Sequence, residues 1–214
     1  MRAKASGGQR ERTFTESGRR AQIVDAAIEV IAELGYARAS FARIAKRAGL
    51  SSTGMISYHF AGKDDLVRAC AEEIVRVLTE FMRPRIDAAA GYAAKLRAYI
   101  ESNVDIVGSR PAHLRALLEI LNNARDADGQ VIVDSAVVTS RAELFATHLR
   151  DGQRAGEFGA FDVWVMAHAL TGAIDAVVGA HATGEEGEGP ARDLERCGRE
   201  LADAFERATA PWRR

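Results

Sequence analysis

Cysteine is nearly missing from these 214 residues. Cys70 and Cys197 stand alone, too few for a disulfide framework or a metal cluster, and read as reduced helix-packing thiols. No apolar run approaches the roughly 20 residues of a membrane span, and the N-terminus carries no apolar signal core. These absences point to a cytoplasmic chain with no membrane partner. A phosphate-binding glycine loop, a zinc-protease histidine pair and a serine nucleophile elbow are all lacking, so no catalytic residue stands out. His59, His113, His148, His168 and His181 fall on separate segments without ligand spacing, which defines no metal site, and no cofactor is expected.

What the chain does have is a 47% hydrophobic composition, enough for the core of one small module and one larger domain. Its net charge of −1 hides an asymmetry. Residues 1–60 hold ten Lys and Arg against five Asp and Glu, leaving nineteen against twenty-five in the remainder, so the two parts carry +5 and −6. A positive end on a near-neutral protein marks where a polyanion sits, since nucleic-acid affinity rests largely on neutralised phosphates. Residues 1–18, with Gly, Ser and basic side chains and little apolar content, predict a disordered basic arm able to reach a minor groove or remain a solvated tail. From Arg19 to Leu34 the positions Ile23, Ala26, Ala27, Val30, Ile31 and Leu34 follow helical spacing, with Ser17 as cap and Gly35 as stop.

The stretch Ser40 to Leu66, SFARIAKRAGLSSTGMISYHFAGKDDL, is the most informative. Ser40 caps a short helix with Phe41, Ile44, Ala45 and Ala48 on one face, and Gly49 ends it because it tolerates a left-handed conformation. Leu50 reaches back as a buried hinge contact, and Ser51 or Ser52 starts the next helix. Met55, Ile56 and Phe60 point inward, leaving an outer face of Ser52, Thr53, Ser57, Tyr58 and His59 that is nearly free of acid. Two short helices across a glycine turn form a helix-turn-helix, whose second helix lies in the DNA major groove. Beyond it, Ala61 and Gly62 turn the chain into a helix from Lys63 to about Met82, broken by Pro84.

These residues resemble the TetR family of bacterial transcriptional regulators. The resemblance is carried by Gly35, Ser40, Ile44-Ala45, Ala48-Gly49-Leu50-Ser51, Gly54, Tyr58-His59-Phe60, Lys63 and Leu66, and covers roughly Arg20 to Val75. From Leu50 to Phe60 there is one residue more than the family's usual spacing, and Ser57 stands where the family often has a phosphate-contacting Tyr. The resemblance implies a double-stranded DNA operator as partner, with Lys63 and nearby free amides holding a phosphate. The DNA-binding candidates are Ser40, Arg43, Ser51, Ser52, Thr53, Gly54, Ser57, Tyr58, His59 and Lys63.

Further helices are expected over Tyr92–Ser109, His113–Asn123, Val133–Ala155, Phe161–Ala182 and Asp193–Thr209. In the third of these Val137, Leu144, Phe145, His148 and Leu149 are placed for burial. The fourth is dense in small residues, which admit a close helix partner, and the fifth repeats apolar residues at steps of three and four. TetR-like regulators dimerise through their last two helices, so the resemblance implies a homodimer, with Trp164, Gly172, Ala176, Gly179, Leu194, Leu201 and Phe205 at the interface. Tyr99, Asn103, His113, Asn122, Phe145, His148, Trp164 and His168 put polar handles on apolar helices and are candidates to line a pocket for a small-molecule effector.

The expected fold is therefore all-α: an N-terminal three-helix DNA-binding module over 19–66 with a helix-turn-helix, and a larger C-terminal helical ligand-binding and dimerisation domain over 67–214. The expected function is a sequence-specific transcriptional regulator, a repressor released from its operator by a small molecule. The alternative is a helical ligand-binding protein or enzyme whose N-terminal hairpin is only structural.

Overall fold

The computed structural model describes residues 7–133, 136–182 and 193–211, with side chains from Glu16 onward and, in the 136–154 helix, from Arg141. The helices are α1 Gly7–Leu34, α2 Phe41–Arg47, α3 Gly54–His59, α4 Lys63–Ala88, α5 Gly91–Ser109, α6 Pro111–Asn123, α7 Ala136–Arg154, α8 Val163–Ala182 and α9 Leu194–Thr209, with a 3-10 turn at Tyr36–Arg38. Among the described residues there is no strand, only an isolated bridge between Arg125 and Val131. The all-α expectation holds.

Two compact units divide the chain: Met1–Ile74 with Ala116–Val133, and Val75–Arg115 with Asp134–Arg214. The first unit thus runs past Leu66 and takes in the second half of α6. Its core is built from Ile23, Ala27, Ile28 and Ile31 of α1, Ile44 of α2, Ile56 of α3, and Leu66, Cys70 and Ile74 of α4, all buried. These side chains recur at helical steps along α1 and α4, so one face of each is apolar, and burying each branched side chain contributes about 1.5–3 kcal/mol. In the second unit α5 packs along α9 and against α7 and α8, around Leu96, Ile100, Val104, Leu149, Leu170 and Ile174.

Four expectations are corrected. Residues 7–18 belong to α1 instead of a disordered arm; Gln9-Arg10-Glu11-Arg12 is a run of good helix formers that prolongs the turn nucleated by the buried part of α1. Residues 1–6 lie outside the described residues. Pro84 sits inside α4, which runs on to Ala88. There the proline costs one hydrogen bond only a turn from the helix end, and the Arg85 guanidinium donates to the Phe81 carbonyl at 3.0 Å. Leu144, expected inside, is 71% exposed, because α7 turns Ala142, Phe145 and Leu149 inward at steps of three and four and Leu144 falls outside that stripe. Met55 is corrected below.

Candidate nucleic-acid interface

The turn between α2 and α3 is fixed by backbone geometry. Ser40 caps α2, its hydroxyl accepting from the Arg43 amide at 3.4 Å. At the other end Gly49 takes φ +65°, the Gly49 amide donates to the Lys46 carbonyl at 3.2 Å and the Leu50 amide to the Ala45 carbonyl at 2.9 Å. That pair of bonds is a Schellman closure, which satisfies the last carbonyls of α2 and turns the chain sharply. Gln22 of α1 braces the same corner, its Nε2 donating to the Ala48 carbonyl at 2.7 Å, and Arg19 in turn donates to Gln22 at 2.6 Å.

Helix α3 begins at Gly54, with Thr53 at the cap position. Ile56 is fully buried and Phe60 nearly so. Met55, expected to point inward, is 37% exposed, and Tyr58 is 69% exposed. Six residues make fewer than two turns, and with Ile56 as the buried anchor its neighbour Met55 rotates out. Ser51, Ser52, Thr53, Gly54 and Ser57 are exposed and His59 half-buried. The Tyr58 and His59 rings meet edge to face with centroids 5.0 Å apart, and the Tyr58 hydroxyl donates to Glu16 of α1 at 3.0 Å.

The positive charge is not spread evenly. Arg47 is held by Glu33 and Glu29; hydrogen bonding to Glu33 first, then to Glu29, drives its pKa above the ordinary guanidinium value, and the same bond holds the Glu33 carboxyl below the usual range. Arg43 is exposed and donates to the Arg38 carbonyl at 3.3 Å, and Arg20 lies over the Phe60 ring at 4.9 Å. Lys63 is half-buried: its ammonium donates to the Tyr36 carbonyl at 2.8 Å and lies 3.9 Å from the centre of the Tyr36 ring. Burial lowers its pKa, and Asp64 opposes that fall. Asp65 reaches back to accept the Ala61 amide at 2.9 Å, closing the first turn of α4. Gln22, Glu16 and Tyr36 were not singled out from the sequence; their partners lie 26 residues or more away along the chain, beyond the reach of any local pattern.

The effector candidates are not all gathered. Tyr99 meets Phe145 edge to face at 4.6 Å, and Asn103 donates to the Tyr99 carbonyl at 2.9 Å and to the Met82 sulfur at 3.3 Å. His148 contacts the Tyr92 carbonyl at 2.9 Å. Trp164, by contrast, is 64% exposed, stacked on an exposed His168 at 4.2 Å, and Asn122 is exposed in the first unit. Trp164 and His168 leave the core because α8 turns Ala167, Leu170 and Ile174 inward instead. His113 is half-buried. A cavity of about 150 Å³ in the second unit lies elsewhere, lined by Leu96, Ile100, Phe158, Ala202, Arg97 and Glu206 among others. The outer face of α8 presents Trp164, Val165, His168, Ala169, Gly172 and Ala176, all exposed, with Gly179 half-buried. Leu194, Leu201 and Phe205 of α9 are half-buried.

A short, exposed, acid-poor helix held at a glycine turn over a small helical module defines a helix-turn-helix DNA-binding regulator. The comparisons give the family. Residues 23–70 match the model of bacterial regulatory proteins of the tetR family. The chain is 42% identical over 91 residues to the HTH-type transcriptional regulator BetI of Stenotrophomonas maltophilia, a match spanning 42% of this chain and 46% of that protein, less than half its length. Against BetI of Cronobacter sakazakii it is 30% identical over 161 residues, covering 74% of this chain and 77% of that regulator. The chain belongs to the TetR family. Among solved structures, a TetR-like transcriptional regulator from a Rhodococcus species superposes with a TM-score of 0.68 at 25% identity, over 89% of this chain and 94% of that one. The regulator FadR of Bacillus subtilis, solved with stearoyl-CoA, gives 0.69 at 23% identity over 86% and 96%, a likeness of fold.

Proposed function

We propose that the chain is a homodimeric repressor that binds an operator through α3 and is released from it by a small molecule held in the second unit. The observation that carries the DNA reading is the exposed surface of Ser51, Ser52, Thr53, Gly54, Ser57 and Tyr58 around a single buried anchor, Ile56. Side chains of these types reach base edges and phosphates, while Ser40 and Arg43 at the start of α2, His59, and Lys63 at the start of α4 flank them. The dimer reading rests on α8, whose outer face carries Gly172 and Ala176 beside the exposed Trp164 and Val165. An apolar face with small residues at its centre suits a second copy of the same helix, and a two-fold pair of α3 helices calls for a roughly palindromic operator. The reading adds Leu194, Leu201 and Phe205 of α9, all half-buried, to that face. Such a regulator works in the cytoplasm.

The effector reading is supported by Tyr99, Asn103 and Phe145, which the second unit brings together, with His148 nearby on α7. Release requires that the effector bind the non-DNA-binding state more tightly, by roughly 1–3 kcal/mol for the usual range of coupling. Electrophoretic retardation of the DNA upstream of the protein's own gene tests the reading. Retention of a specific band over excess random DNA is expected, abolished by Thr53→Ala with Tyr58→Ala. A folded parent that binds both DNAs alike would refute the specific reading, and one that binds neither would leave the helical hairpin as structure alone.

A further inference from the structure

We propose that Glu119 of α6 is a positioning residue of the DNA-binding module, setting the orientation of Lys63 through Tyr36. The inference rests on the reading of Lys63 as a phosphate contact. It lies in a stretch well beyond residue 70, where the family match ends, yet Glu119 belongs to the same compact unit as the helix-turn-helix.

The geometry forms one chain of polar contacts. Asn123 donates to one oxygen of Glu119 at 2.8 Å, and the other oxygen accepts the Tyr36 amide at 2.8 Å. The Tyr36 carbonyl, on the same residue, takes the Lys63 ammonium at 2.8 Å. The Tyr36 hydroxyl donates to the Arg125 carbonyl at 3.1 Å, so the residue is held at its amide, its carbonyl and its phenol. Gly35, at φ +81°, lets the carboxylate approach: a Cβ there would stand 2.9 Å from the Glu119 oxygen. A turn after a helix normally leaves its first amide to water. Here a carboxylate accepts it instead, and charge-assisted bonds of this kind are the stronger ones.

The consequence concerns the direction of one ammonium. An unrestrained lysine samples many rotamers, and holding it at a phosphate costs conformational entropy. With one proton committed to the Tyr36 carbonyl and the charge over the Tyr36 ring, the remaining N–H groups of Lys63 keep a fixed direction. Withdrawing Glu119 frees the 3-10 turn, lets the Tyr36 carbonyl move, and releases Lys63 to solvent. Glu119 touches no DNA itself.

The test measures binding of the full-length protein to a duplex that the protein itself selects from a random pool, as a function of salt, below each variant's unfolding temperature. Lys63→Ala should lower the slope of log K against log salt by about 0.9 for each phosphate lost. Glu119→Ala should lower it in the same direction, Glu119→Gln should restore the parent slope because its amide oxygen still accepts the Tyr36 N–H, and the double variant should behave as Lys63→Ala alone. Should Glu119→Ala fail to fold, Glu119→Asp keeps the charge but withdraws the oxygen by one methylene and is expected to share the lowered slope. A purely structural role would lower the melting temperature of Glu119→Ala or Glu119→Asp and leave the slope at the parent value while Lys63→Ala lowers it; that result overturns the inference and spares the phosphate reading. If Lys63→Ala itself keeps the parent slope, the phosphate reading fails and the inference falls with it.

Discussion

Arg43 and Arg47 lie one helical turn apart on α2, yet only Arg43 should contribute to DNA binding. Arg47 is engaged by Glu29 and Glu33 of α1, so its charge is already neutralised within the module. Arg43 has an exposed guanidinium that donates to the neutral Arg38 carbonyl. Each phosphate neutralised by a cation contributes about 0.9 to the salt slope, and a dimer carrying Arg43→Ala loses two, roughly 1.8. Between about 50 and about 200 mM salt that difference amounts to roughly a twelvefold change in the ratio of variant to parent affinity. Fluorescence anisotropy of a labelled duplex across a salt series measures it directly. Arg43→Ala should bind more weakly at low salt and approach the parent at high salt, whereas Arg47→Ala should run parallel to the parent. Equal slopes for Arg43→Ala and the parent would remove the start of α2 from the DNA backbone. A slope lost with Arg47→Ala would mean that Glu29 and Glu33 release it on binding.

Three other outcomes are expected. Gly172→Arg should split the dimer without unfolding the protomer, because a Cβ at Gly172 meets nothing within 4 Å in its own chain while a buried interface cannot absorb the volume and charge; sedimentation velocity of a parent that is already monomeric at micromolar concentration would refute this. Glu157→Ala should destabilise the protein by about 1–2 kcal/mol in urea unfolding, since Glu157 accepts the Tyr92 and Ala93 amides that open α5; an unchanged midpoint would show that water replaces it. Cys70 should resist thiol reagents at pH 8 until the protein unfolds, because burial pushes its thiol up to about 12 and leaves about one thiolate in ten thousand. A thiol raised in the folded state adds stability that is present below the ordinary thiol range and lost as pH climbs towards 12, so rapid labelling of Cys70 in native protein would contradict its burial.

The parts of the fold legible in the sequence are those fixed by neighbours along the chain. Ser40, Gly49 and the apolar positions of α1 each act within a few residues, and the cap, the Schellman closure and the buried stripe follow from them. Periodicity fails where an element is short or where propensity alone decides. Met55 sits in a helix of fewer than two turns, too short to fix a phase, and residues 7–18 extend α1 with no apolar stripe to mark them. Pro84 reads as a break because proline lacks the amide a helix uses, yet α4 continues through it, since only one more turn follows.

The site divides along the same line. The exposed face of α3 could be located because it lies within one turn of the residues that fix it. The effector candidates are gathered only in part, since a period gives the face of a helix and not the depth to which that face is buried. Trp164 and His168 have the chemistry of pocket residues and still lie on the outside of α8, where large aromatic surface is costly in water. Such exposure is accounted for if another chain covers it, so the same two residues that weaken the pocket assignment favour the dimer reading. Lys63 makes the complementary point. The family resemblance puts Lys63 at a phosphate, and in the structure its ammonium is bonded to the Tyr36 carbonyl while the Tyr36 amide is bonded to Glu119, 83 residues further along the chain. On the proposal above a DNA contact is set partly from α6, so mutations in α6 should be read for their effect on operator affinity before they are read as effects on the effector.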